Sequence, residues 1–164
     1  MKKIILGGLA FLLLAGCHPF DPVEQAVSRY DSRAAAEAEK DLEPFVAELS
    51  APVRAGLDEE FTLIGSLHNV THTDYELQSR PRVFHYMIVD STGYRINTIV
   101  MEDSAVVRKF PGETDINEFY RCKIDRPGIY EVYAIAEFAV KEDGGYRNVT
   151  YESKHRRIEI GTLS

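Results

Sequence analysis

The chain has 164 residues, of which 45% are hydrophobic and 27% charged, with 19 Lys and Arg against 26 Asp and Glu for a formal charge of −7. That length suits one domain with a real core. The acidic balance argues against nucleic-acid binding, which depends on neutralising phosphates with Lys and Arg, and against broad adhesion to anionic lipid.

Met1-Lys2-Lys3 opens the chain with positive charge, Ile4 to Leu14 follows as an apolar run, and Leu14-Ala15-Gly16-Cys17 closes it. That order reads as a secretory signal. The run falls short of the about 20 apolar residues that a spanning helix needs, and it breaks at Cys17-His18-Pro19. Small residues leading directly into a cysteine resemble the lipobox of bacterial lipoproteins. The resemblance implies cleavage after residue 16 and acylation of Cys17, by palmitate or a similar chain, first on sulfur and then on nitrogen. Each buried methylene contributes about 0.8 kcal/mol, so one acyl chain binds marginally while two or more hold stably. The expected address is therefore the bacterial cell envelope, with the membrane as a partner through the lipid on Cys17. His18 stands where an aspartate would resemble an inner-membrane retention signal, which favours the outer membrane if the source has two. Removing residues 1–16 takes away Lys2 and Lys3 and moves the formal charge from −7 to −9.

Residues 17–49 read as the lipidated cysteine and a helical stalk or linker. Asp21-Pro22-Val23-Glu24 combines a capping acid, proline at the first helical position and glutamate three after the cap. Ala34 to Lys40 continues with strong helix formers, and Pro44 ends or kinks the run. Val23, Ala26, Val27, Tyr30 and Ala34 make only a narrow apolar stripe, so a polar stalk of about 20 residues, roughly 30 Å long, is expected, with a disordered tether as the alternative.

From Ser50 to Ser164 the hydrophobic period is two. Phe61, Leu63 and Leu67 alternate with Thr62, Ser66 and His68, as on a strand with one buried face. Arg82 to Asp90 is apolar on both faces, as for a central strand, and Ser91-Thr92-Gly93 turns it into a strand over Tyr94 to Met101. Short strands follow over Ala105 to Phe110 and Ile116 to Ile124. In the longest, Tyr130, Val132, Ala134, Ala136, Phe138 and Val140 share one apolar face, with Glu131, Tyr133 and Glu137 opposite. Asp143-Gly144-Gly145 is a hairpin turn. The last strand changes phase, from odd Val149 and Tyr151 to even Ile158 and Ile160, which predicts a β-bulge between Glu152 and Arg157. About seven strands with turns between them make a mainly β, antiparallel sandwich.

Asp125-Arg126-Pro127-Gly128-Ile129-Tyr130 resembles the approach to the penultimate strand of immunoglobulin-like domains, where a tyrosine hydrogen-bonds back across the loop. The resemblance makes Tyr130 a tyrosine corner and the domain an immunoglobulin-like sandwich. Val132 stands where antibody domains carry cysteine, and the chain has no tryptophan, so Phe84 or Tyr86 is expected to fill that part of the core. Gly93 after the Val-Asp strand end, taken with the Pro-Gly-Ile-Tyr run, is also similar to bacterial proteinase-inhibitor-like sandwiches, which implies a regulator of a secreted enzyme as an alternative role.

No nucleophile elbow, phosphate-cradling loop or catalytic cysteine signature is present, so no catalytic residues, no enzymatic activity and no cofactor are expected. With Cys17 lipidated, Cys122 has no intrachain partner and is expected as a small buried hydrophobe. His68, His72 and His85, with Asp74 as a fourth ligand, would form a metal site if the Asn69–Asp74 turn folds back. Lys154-His155-Arg156-Arg157 is the one basic cluster of an acidic domain. Lys154, Arg156 and Arg157 suit either an anionic partner or the defence of an exposed sheet edge. Tyr133 and Tyr151, expected side by side on neighbouring strands near Tyr94 and Tyr146, complete a candidate binding face, since tyrosine joins apolar area to a hydroxyl. The expected function is that of a non-enzymatic binding or structural module with an envelope protein or polymer as its partner.

Overall fold

The computed structural model describes residues 43–162; the expected signal segment, Cys17 and the stalk up to residue 42 lie outside the described residues. The described residues hold ten strands and no helix: β1 (Phe45–Ser50), β2 (Arg54–Gly56), β3 (Phe61–Asn69), β4 (Tyr75–Ser79), β5 (Phe84–Val89), β6 (Val106–Phe110), β7 (Asp115–Cys122), β8 (Gly128–Glu142), β9 (Gly145–Glu152) and β10 (Arg156–Gly161). One sheet has the order β1-β3-β7. The other runs β2-β10-β8-β4-β6, with β5 and β9 also paired to β8. All pairings are antiparallel except β2 with β10. Two facing sheets connected in this way form an immunoglobulin-like sandwich.

Alternation sets the inner faces as expected. Phe61, Leu63 and Leu67 of β3 face Phe84, Tyr86 and Ile88 of β5, and Tyr130, Val132, Ala134, Ala136, Phe138 and Val140 of β8 complete the core. The strand pattern begins at Phe45, ahead of the boundary expected at Ser50. The six residues of β1 alternate buried and exposed, with Phe45, Ala47 and Leu49 inward, but the pattern lies next to Pro44 and a helix-forming run that drew it into the linker. Phe45 is a hub: its ring meets Tyr75 at 4.9 Å, Phe138 at 5.3 Å, Phe110 at 5.7 Å and Tyr151 at 5.8 Å between centroids.

Two expectations about the middle of the chain need correction. Arg82 to Asp90 does not run as a central strand. Among the described residues its only strand neighbour is β8, and on the other side it makes a single bridge, Val89 to Arg95. Tyr94 to Met101 is not a strand. The turn before it does form, with Asp90 Oδ1 accepting from Thr92 N–H at 2.8 Å, Thr92 Oγ1 at 2.6 Å and Tyr94 N–H at 3.0 Å, and Gly93 at φ 82°. Beyond it Asn97 substitutes a side-chain amide for a peptide. Its Oδ1 accepts from Ile88 N–H at 3.0 Å and its Nδ2 donates to the Tyr86 carbonyl at 2.7 Å. Those groups of β5 are satisfied without a partner strand, so residues 98–105 leave the sheet.

The sheets are joined by a reciprocal polar link. Gly65 N–H on β3 donates to Tyr86 Oη on β5 at 3.0 Å, and that hydroxyl donates to the Glu118 carbonyl on β7 at 2.7 Å. The Glu118 carboxylate returns across the gap to accept from Val83 N–H at 2.7 Å and Phe84 N–H at 3.2 Å. Gly65 admits the hydroxyl because a Cβ there would lie 2.9 Å from both Tyr86 Oη and Phe84 Cγ. Burial pushes the Tyr86 hydroxyl up to about 12, against the hydrogen bond from Gly65.

Replacing Phe45 with alanine removes the hub of the aromatic cluster and is expected to cost about 3–5 kcal/mol, measured by chemical denaturation. An unchanged midpoint would return residues 45–49 to the linker. Tyr86→Phe keeps the ring but strands a buried N–H and carbonyl, with an expected loss of about 1–3 kcal/mol in the same assay.

Candidate partner-binding surface

The phase change in the last strand is a β-bulge. On β8, Ile135 lies opposite Glu152 of β9, while Val132 lies opposite Arg156 of β10. Residues 133 and 134 therefore face the three residues 153, 154 and 155, one more than the ladder accommodates. Ser153 repairs the break: its N–H donates to the Ala134 carbonyl at 2.9 Å, and its Oγ accepts from Ala134 N–H at 2.9 Å. The extra residue lets Ile158 and Ile160 face the core although Val149 and Tyr151 already do so from odd positions.

His155 holds the outer side of the bulge. Its Nδ1 lies 3.0 Å from Glu131 Oε1 on β8 and its Nε2 2.9 Å from Glu152 Oε1 at the end of β9. The ring lies flat on Tyr133, 4.1 Å away with 7° between planes. The hydrogen bond to Glu152 is the main cause raising the imidazole above its ordinary value; the bond to Glu131 adds to it and desolvation opposes it. Lys154, Arg156 and Arg157 around this group are exposed, and none has a carboxylate within ion-pair distance among the described residues. Arg157 is opposite Glu131 on the outer face, whereas Arg156 is opposite buried Val132 and emerges on the other side of the strand. The cations thus wrap the strand instead of sharing one face. β9 pairs only with β8 among the described residues, so the bulge lies on an open margin of its sheet.

Tyr133 and Tyr151 do not form the expected common face. Tyr151 lies opposite Ala136, on the inner side, and stacks on Phe138 at 5.9 Å and edge-on to Phe45. In this hairpin even positions of β8 pair with odd positions of β9, so two odd-numbered tyrosines point to opposite faces. Tyr146 is on the outer face with its Oη donating to Glu76 Oε1 at 2.7 Å, and Tyr94 is exposed beside the Asp90 turn. Tyr130 Oη donates to the Arg126 carbonyl at 3.0 Å, which is the geometry of a tyrosine corner.

The three histidines proposed for a metal are not brought together. His68 is on β3 and His85 on β5, in different sheets, and each faces outward from the core between them. His68 Nδ1 meets Asp115 Oδ1 at 2.6 Å, His72 Nδ1 is 3.3 Å from Glu113, and buried His85 has its Nε2 3.2 Å from Glu137. Asp74 accepts from Gly112 N–H at 2.9 Å. Each group is committed to its own sheet or loop, and the described residues hold no cluster of three or more His, Cys, Asp or Glu fit for a metal ion. Cys122 is half-buried, and burial, with the Glu60 charge adding, pushes its thiol up to about 12, far from a reactive thiolate.

A second concavity of about 550 Å³ lies beside β5 and β7, lined among others by Arg82, Phe84, Asn97, Val100, Phe119 and Arg121. Phe119 is 60% and Val100 79% exposed. Sequence reasoning missed this recess because it cast residues 94–101 as a strand. It also missed His155 as the partner of Glu131 and Glu152: parity located the bulge but says nothing of the side chains that span it.

No protein-family model matches the chain, and no curated protein does. Among solved structures the chain is similar to the CARDB domain of the PF1109 protein from Pyrococcus furiosus, a structure in complex with di-metal ions, with 10% identity and a TM-score of 0.44 over 73% of this chain and 94% of that one. The putative ApaA protein from Bordetella pertussis aligns with 9% identity and a TM-score of 0.46 over 73% of this chain and 97% of that one. A PapD-like domain of human CEP192 aligns with 11% identity and a TM-score of 0.35, covering 75% and 91%.

Proposed function

We propose that the chain is a bacterial envelope lipoprotein, anchored through acylated Cys17, whose sandwich is a non-enzymatic binding module. Its binding surface is the bulge margin, with Tyr133, Lys154, Arg156 and Arg157 meeting an anionic envelope polymer or an acidic protein face. One observation carries the reading: Lys154, Arg156 and Arg157, three exposed cations without carboxylate partners among the described residues, fall within four consecutive residues at the bulge margin of a chain of formal charge −7. Some other surface cations are paired, as Arg54 is with Glu159, Lys123 with Asp58 and Arg147 with Glu142, while Arg82, Arg95, Lys109 and Arg126 lie apart from one another along the sequence without an ion pair among the described residues. Unpaired cations attract anions over distances set by the screening length, about 8 Å at physiological salt. The open margin of β9 favours a second role for the same residues, keeping strand edges of separate molecules apart.

Reversing the charges in a Lys154→Glu, Arg156→Glu, Arg157→Glu variant is expected to abolish salt-sensitive retention of the acylated protein on an isolated anionic envelope polymer. Equal retention with unchanged salt dependence sinks the binding reading, and self-association of the variant, seen by light scattering, supports edge protection. Mass spectrometry of native protein is expected to find Cys17 as the first residue with acyl chains; retained residues 1–16 would remove the anchor.

A further inference from the structure

A neutral imidazole carries one N–H, yet both ring nitrogens of His155 face carboxylate oxygens, at 3.0 Å and 2.9 Å. With Glu131 and Glu152 ionised, both contacts are hydrogen bonds only when both nitrogens donate, which is the arrangement of an imidazolium. The two carboxylates belong to different strands, Glu131 to β8 and Glu152 to the last position of β9, and they flank the three residues without regular pairing. The cation thereby spans the break in the ladder, and Tyr133 supports it from below.

We propose that the 153–155 bulge is a proton-operated catch: protonated His155 ties β8 to the end of β9, and loss of one proton frees one carboxylate and loosens the bulge. The groups facing the ring are Glu131 and Tyr133 from β8 and Glu152 from β9, and the charged residues next to it in the chain are Lys154 and, on β10, Arg157 on the outer face and Arg156 on the opposite one. On β5, across β8, Met87 lies opposite Tyr133 and Val89 opposite Glu131; His85, opposite Ile135, is the titratable group on that stretch and is engaged with Glu137. Arg157 is set opposite Glu131 in the register but makes no ion pair with it, so among the described residues His155 alone engages that carboxylate. The Ser153 bonds to Ala134 are what remain of the bulge when His155 lets go.

The sign follows from the partners. Two carboxylates make the folded state hold the proton more tightly than the unfolded chain, with Glu152 the larger cause. The catch is therefore complete below the ordinary histidine value of 6.5 and is lost as pH rises through the higher folded value. Deprotonation also removes one positive charge from the cluster and leaves a carboxylate among the cations, so anion capture weakens in the same direction. The inference concerns regulation of the surface proposed above, but its test reads the ring and the backbone and can fail or succeed by itself.

Nuclear magnetic resonance of the isotope-labelled mature chain in detergent, titrated between about pH 5 and 9, reads it directly. The His155 ring is expected to titrate above its ordinary value, and the Ser153 and Ala134 amide resonances to move with the same midpoint. Glu131→Gln and Glu152→Gln should each lower that midpoint, and His155→Gln should leave the fold intact and the two amides insensitive. The proposal is overturned if the ring titrates alike in wild type and both glutamine variants. It is equally overturned if the amides move in His155→Gln as they do in wild type. Retention on the anionic polymer, followed in the same variants, separates the outcomes: a normal titration with no retention removes the binding reading and leaves the catch.

Discussion

Two β-sheets stacked face to face need something that fixes their relative position, because hydrophobic contact is non-directional and tolerates sliding. Antibody domains use a disulfide packed on tryptophan; this chain has no tryptophan, and no disulfide joins its described residues. The fixing element is Tyr86, whose hydroxyl accepts a hydrogen bond from Gly65 N–H and donates one to the Glu118 carbonyl, while the Glu118 carboxylate closes the loop by accepting from Val83 and Phe84 N–H. Each bond is directional, and most of the polar atoms involved would be left without partners if the sheets slid by one residue. That asymmetry, small gain when made and large cost when broken, is what gives a buried network its specificity. Gly65 is part of the device, since a side chain there would occupy the space of the hydroxyl.

Closure at the other end has a different physical basis. Where the chain enters at Phe45, five aromatic rings from β1, β4, β6, β8 and β9 meet, with interplanar angles from 15° to 87°. Edge-to-face and offset contacts of this kind add to area burial and favour particular orientations. Strand β1 therefore belongs to the fold in the energetic sense, although the residues just before it are helix formers. The polar link and the aromatic cluster lie on different parts of the sandwich, so each constrains elements that the other does not reach.

Periodicity made most of this legible. The faces of β3, β7 and β8 and the bulge before Arg157 follow from alternation, which is a property of the backbone and needs no partner, and the hairpin at Asp143-Gly144 follows from its turn residues. What failed required knowing which strand lies beside which. Parity within each strand puts Tyr151 beside Tyr133 on the surface, but the antiparallel pairing of Ala136 with Tyr151 turns it inward. Tyr94 to Met101 has strand composition, but Asn97 had already supplied the hydrogen bonds that a strand would have made. His68, His72 and His85 look close along the chain, yet β3, which carries His68, and β5, which carries His85, belong to different sheets.

The bulge illustrates how such a fold can carry a local site without disturbing its core. A one-residue insertion switches the inward parity from Tyr151 to Ile158, so both halves of the last strand bury apolar side chains against a single continuous β8. The misfit is confined to residues 153–155, where the backbone no longer dictates which way side chains point. Glu131, Tyr133 and Glu152 share the outer face by register, and the inserted residue lets His155 join them there. Because these contacts are exposed, their strength depends on charge state and salt far more than that of the buried Tyr86 link does. The stable part of the molecule is thus internal, and its responsive part is charged and lies where the β8 ladder passes from β9 to β10.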